Sequence, residues 1–179
     1  ASKMGTRASS GDEASIYASQ DGPADYPGRN GVMLTRRLSS RRERVVVAAL
    51  AGAMFFGLTY AWLTAGRRGA GDFQYAWLAG RALFDGREPY AAVFTDSPFR
   101  SQWLYPLPAA LVATPFALLS AELAGATFVG VGFGWLAYQL TAQGRWRLLL
   151  LAAAPCLFAV LAVQWTPLLT AAALTGPTL

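Results

Sequence analysis

The chain has no histidine and a single cysteine, Cys156, among its 179 residues. Those two absences close several chemistries to this chain acting alone. Haem ligation by histidine, Ser-His-Asp and Cys-His nucleophilic catalysis, and cysteine- or histidine-based zinc sites all need residues it does not have. One cysteine also excludes an intrachain disulfide. Charge is scarce as well: charged residues make up 14% of the chain and hydrophobic ones 54%. Carboxylate, arginine, tyrosine and tryptophan are left to carry any chemistry.

The scarce charge is unevenly placed. Arg36, Arg37, Arg41, Arg42 and Arg44 lie just before the first long apolar run and supply much of the formal net charge of +5. A basic cluster in that position matches an anionic cytoplasmic leaflet better than nucleic acid, which is not expected as a partner. Residues 1–43 are rich in Gly, Ser, Ala, Asp and Arg without sustained periodicity, and they are expected to form a flexible basic cytoplasmic tail. Residues 44–179 are expected to form an all-α domain of polytopic transmembrane helices.

Residues 45–65 carry no charge. At 1.5 Å per residue such a run crosses a hydrocarbon core of roughly 30 Å, and it reads as a signal-anchor first span. The arginine bias sets the N-terminus in the cytoplasm and residues 66–104 on the outer face. There the spacing of Phe73, Tyr75, Ala76, Trp77, Ala79 and Leu83 predicts a short helix lying at the interface, ended by Gly86 and Pro89. Tyr75, Trp77 and Tyr90 also fit an aromatic belt at the membrane surface. Residues 107–119, with Pro108 and Pro115, are too short for an independent span and read as re-entrant or oblique. A second span is predicted over 123–140, with Gly125, Gly130, Gly132 and Gly134 as sites of close helix approach. Arg145 and Arg147 return the chain to the cytoplasmic side. A third helix is expected from Leu148 to about Val163, followed by Gln164-Trp165-Thr166-Pro167 at the outer interface and a last apolar run from Leu168.

Asp72 is the candidate catalytic group, because a carboxylate at the outer end of the first span meets lipid-borne substrate while remaining hydrated. It reads equally as a helix N-cap, accepting from the backbone N–H groups that follow. Arg67, Arg68, Arg81, Arg87 and Arg100 offer planar guanidinium forks suited to phosphate. Asp85 and Glu88 are placed to pair with these arginines or to act as a second acid or base. Tyr105-Pro106-Leu107-Pro108 stiffens the backbone before the short apolar segment, and Gln164 brings an amide to the outer end of the third helix. No cluster of residues calls for a metal, and no cofactor is expected.

Gly71-Asp72-Phe73 with Tyr75, then Gly80-Arg81-Ala82-Leu83, Gly86, Pro89-Tyr90 and Tyr105-Pro106 with Pro108 follow one another in an order that resembles the N-terminal part of bacterial polyprenyl-phosphate-mannose-dependent alpha-(1,2)-mannosyltransferase-like proteins. These belong to the GT-C superfamily of integral membrane glycosyltransferases. The resemblance implies a partial GT-C fold in the bacterial inner membrane and a polyprenyl-phosphate sugar as donor. It also implies Asp72 as base, with Arg67, Arg68, Tyr75, Arg81, Arg87, Tyr90, Tyr105 and Gln164 as candidate substrate contacts. Two departures stand out: Leu107 separates Pro106 from Pro108 where the family has Tyr-Pro-Pro, and Val163-Gln164 stands where it has Gly-Gln. Family members also have more spans than this sequence provides. The competing expectation is a non-catalytic accessory or assembly subunit that contacts membrane lipid and other membrane protein subunits.

Overall fold

The computed structural model describes residues 40–66, 69–97 and 105–176. Of the predicted tail over 1–43, residues 1–39 lie outside the described residues, as do the predicted phosphate contacts Arg67, Arg68 and Arg100. Residues 41–43 belong to the first turn of the first helix and not to a tail. Every regular element among the described residues is helical. Two helices, α1 (Arg41–Gly66) and α5 (Ala121–Gln143), are each long and apolar enough to cross a membrane.

Both long helices start at a serine. Ser40 Oγ accepts from the Glu43 backbone N–H at 3.1 Å before α1, and Ser120 Oγ accepts from the Leu123 N–H at 3.4 Å before α5. With Glu43 and Glu122 in their first turns, each start joins a hydroxyl cap to an acidic side chain near the positive end of the helix dipole. α1 and α5 run antiparallel, since Arg44 reaches Tyr138 at one end while Leu63 meets Gly125 at the other. Their crossing is made possible by missing side chains. A Cβ added to Gly130 would lie 2.9 Å from the Gly52 carbonyl oxygen, and one added to Gly52 would lie 2.9 Å from that of Gly130. This is close backbone contact through small residues, as expected where no hydrophobic driving force acts between helices in lipid. Phe55 and Phe133 stack beside it with ring centroids 3.8 Å apart.

α5 is the centre of the structure. Of its apolar stretch 61% is buried, against 11% for α1. On the face of Gly132 it receives α7 (Thr166–Thr175), which runs parallel to it from Leu168 beside Gly132 to Thr175, whose hydroxyl accepts from Gln139 Nε2 at 2.7 Å.

The third helix expected from Leu148 to about Val163 is observed in two bent pieces. Residues 145–162 form a 3-10 run (Arg145–Ala152) and a separate α6 (Ala154–Ala162), bent by 56° at the junction. Pro155 gives the physical reason, because its nitrogen has no hydrogen to continue the ladder and its ring blocks the carbonyl of the preceding turn. If the bent pair counts as one span, the described residues hold three.

The segment between α1 and α5 is helical in pieces. α2 (Phe73–Phe84) matches the predicted interfacial helix and closes through Gly86, whose φ of +68° lets the Arg87 N–H reach the Ala82 carbonyl at 2.7 Å. Immediately after it comes α3 (Pro89–Asp96), which was not expected. Pro89 starts this helix as well as ending the previous one, and Glu88 caps it by accepting from the Tyr90 and Ala91 N–H groups. The short broken helix is observed as α4 (Leu107–Ala113), tightening into a 3-10 turn (Thr114–Phe116) at Pro115.

Candidate site at the α2 start and the α6–α7 turn

Asp72 occupies the N-cap position of α2, yet its side chain makes no capping hydrogen bond. Its backbone is already helical, with φ −64° and ψ −27°, and not in the extended conformation typical of a capping residue. The capping role is therefore not realised. The carboxylate is exposed, and among the described residues no arginine forms an ion pair with it.

Asp72 is fixed instead by its backbone. Its N–H donates to the Ala162 carbonyl at 2.9 Å, tying the start of α2 to the end of α6. Gly71 makes that approach possible: with φ at +56°, a Cβ there would sit 2.6 Å from the same carbonyl oxygen and 2.9 Å from Val163 Cγ2. Val163 is itself left-handed, with φ 55° and ψ 53°, although it is β-branched and fully buried. Such a conformation costs on the order of 1–3 kcal/mol and persists only where the surroundings over-determine it. Here it lets α6 stop and α7 begin within four residues, with Gln164 and Trp165 on the turn between them.

An aromatic cluster holds the turn against α2 and α5. Phe73 stacks on Phe128 at 4.1 Å, Phe116 meets Phe73 edge-on at 5.6 Å, and Trp165 packs on Phe128 at 4.8 Å. Tyr105 joins from the start of α4, its ring 6.3 Å from that of Trp165. Burial raises the Tyr105 phenol above its ordinary value of 10.0, and the negative charge of Asp72 and the neighbouring Tyr75 push it the same way. Tyr75 and Tyr105 also share a small apolar cluster with Ala79, Val93 and Ala110. The structure thus brings Asp72 and Tyr75 together with Tyr105 and the turn bearing Gln164, from three distant parts of the chain. Gln164 Oε1 accepts from the Thr166 hydroxyl at 3.5 Å.

The two predicted cationic contacts among the described residues, Arg81 and Arg87, lie elsewhere. Arg87 pairs with Asp96 at 3.1 Å and with Asp85 at 3.8 Å on the α2–α3 surface. The Arg87 hydrogen bond holds the Asp96 carboxyl below its ordinary value, with help from the Thr95 hydroxyl. Arg81 is exposed, with its guanidinium 5.0 Å above the Trp77 ring, half a helical turn around α2 from Asp72. Tyr90 is exposed on α3. Trp77 is not a belt residue: it is buried, and its Nε1–H donates to the Phe116 carbonyl at 3.1 Å.

Sequence reasoning missed Trp165 and the strained Val163. The signal for both was the Val163-Gln164-Trp165-Thr166-Pro167 break between two apolar runs, a stretch too short for a loop unless one residue goes left-handed. Among the described residues, no group of histidine, cysteine, aspartate or glutamate side chains could hold a metal ion. No protein-family model matches the chain, and no match was found among curated proteins or solved structures.

Proposed function

We propose that this chain forms the donor-side part of a GT-C-like membrane glycosyltransferase, moving mannose or a similar sugar from a polyprenyl phosphate to an acceptor hydroxyl. The proposal places it in a bacterial inner membrane with its N-terminus in the cytoplasm. One observation supports this reading above others. Asp72 presents a carboxylate engaged neither in capping nor in an ion pair among the described residues, beside a tyrosine whose phenol stays protonated. In the reaction the acceptor hydroxyl gives its proton to the Asp72 carboxylate as its oxygen bonds to the anomeric carbon. The bond from that carbon to the phosphate oxygen breaks, and polyprenyl phosphate leaves with the electron pair. Tyr105 O–H is available to donate to a sugar or phosphate oxygen, and Gln164 to hydrogen-bond a sugar hydroxyl. Arg67, Arg68 and Arg100 are the remaining candidates for the phosphate, since Arg87 is held by Asp85 and Asp96 and Arg81 stands half a helical turn around α2 from Asp72.

The test is sugar transfer from a labelled polyprenyl-phosphate mannose in membranes holding the native chain or Asp72→Asn. The substitution is expected to lower transfer by about 100-fold or more, the scale of a lost general base, while leaving the helical content unchanged. Transfer undiminished in Asp72→Asn would reject Asp72 as base. The engagement of Arg87 by two carboxylates favours a second reading, a non-catalytic subunit of a larger membrane assembly. Absence of transfer by the native chain, together with stoichiometric partners after purification in mild detergent, would favour that reading.

A further inference from the structure

Along the seam where α1 meets α5, from the start of α1 to Phe56, runs an open apolar surface groove of about 730 Å3. Gly52, Gly130 and Gly134, where the two helices touch, line it together with Phe56, Trp135 and Tyr138. Arg41 closes the groove, and a second hollow of about 700 Å3, lined by Arg41, Arg42, Val45 and Val46, continues from it. From Arg41 to Phe56 the groove follows α1 for roughly 22 Å, at 1.5 Å per residue.

The charge at its mouth is unbalanced. Glu43 is the one acidic residue of α1, and it faces Arg145 at 3.9 Å. Arg44 is already engaged, donating to the Tyr138 carbonyl at 3.0 Å with its guanidinium over the Tyr138 ring. Arg41 and Arg42 are exposed, and among the described residues neither forms an ion pair. We infer that this groove binds an anionic glycerophospholipid, with its phosphate on Arg41 and Arg42 and one acyl chain along Gly52 toward Phe56. An apolar trough ending in two unmatched guanidinium groups is complementary to a phosphate joined to a hydrocarbon chain. A passing helix of another protein would match the trough but would need its own acidic group at the level of Arg41. The inference is independent of sugar transfer, because the groove runs from Arg41 to Phe56 and Asp72 lies beyond the other end of α1.

The experiment is intact-complex mass spectrometry of the full chain in mild detergent, titrated with phosphatidylglycerol or with phosphatidylcholine carrying the same acyl chains. Phosphatidylglycerol is expected to bind at least about tenfold more tightly, in line with the attraction of two arginines for an anionic headgroup. The Arg41→Gln/Arg42→Gln double variant should lose this preference. Ala49→Phe, an exposed groove-lining position, should weaken retention of phosphatidylglycerol with both arginines in place. Equal binding of the two lipids by the native chain, or a preference that survives in the double variant, would overturn the inference. So would a dimer mass without bound phosphatidylglycerol, which would assign the groove to a second copy of this chain.

Discussion

At the scale of single residues, the site rests on the relation between Asp72 and Tyr105. Burial is the first cause of the raised Tyr105 pKa and the Asp72 charge the second, so the phenol reports on its neighbour. Asp72→Asn should move the Tyr105 ionisation down toward 10.0 without returning it fully, because the burial remains. The check is an ultraviolet titration in detergent, with the Tyr105→Phe variant subtracted to isolate one phenol. An ionisation that stays in place in Asp72→Asn would show that the two groups do not share a site. The sign for stability follows the same logic. A phenol whose folded pKa is raised contributes fully below its unfolded pKa, and the contribution is lost as pH rises through the folded value. Tyr105 therefore works against the fold only at strongly alkaline pH.

At the scale of elements, the least replaceable contact is the one between the Gly71 turn and the end of α6. Gly71→Ala combines a left-handed backbone with a methyl 2.6 Å from the Ala162 carbonyl oxygen, so relief requires moving α6 or unwinding the start of α2. A loss of about 2–3 kcal/mol is expected, read as a lowered midpoint of unfolding in detergent by tryptophan fluorescence. Gly57→Ala is the control, since a Cβ there meets nothing within 4 Å. This contact also shows where sequence reading stopped. The two long apolar helices, α2 and the broken α4 were legible because each depends on local pattern: an apolar run, a cap, a glycine stop, a proline. Gly71 was legible as part of a motif, and its partner was not. The Asp72 to Ala162 hydrogen bond joins residues far apart in the chain through a left-handed valine, a residue type for which no local rule predicts that conformation. A glycine at this place would adopt a φ near 55° without penalty. Pro155 and Pro89 failed as local signals for a different reason. Pro89 reads in the sequence as the end of one helix and Pro155 falls inside the expected third helix, yet each lies in the first turn of a new helix.

At the scale of the whole molecule, polarity is divided between two ends. The starts of α1 and the 3-10 run after α5 bring Arg41, Arg42, Arg44, Arg145 and Arg147 to one end, tied by the Glu43 to Arg145 pair. The other end holds Asp72, Tyr105 and the α6–α7 turn. Because α1 and α5 are antiparallel, the arginines before the first span and those after the second share a side, and the charge bias acts in one direction on both. The expected orientation therefore has the basic end in the cytoplasm and α2 outside. It can be read in intact cells with a Cys156→Ser background, which removes the single native thiol. A cysteine placed by Asp85→Cys, exposed after α2, should react with an impermeant maleimide added outside, whereas one placed by Ala142→Cys, exposed at the end of α5, should react only after permeabilisation. The reverse pattern would put Asp72 in the cytoplasm and the arginine-closed groove in the outer leaflet. A lipid-linked sugar presented on the outer face would then never meet the carboxylate, so this orientation is a condition that the proposed chemistry must satisfy.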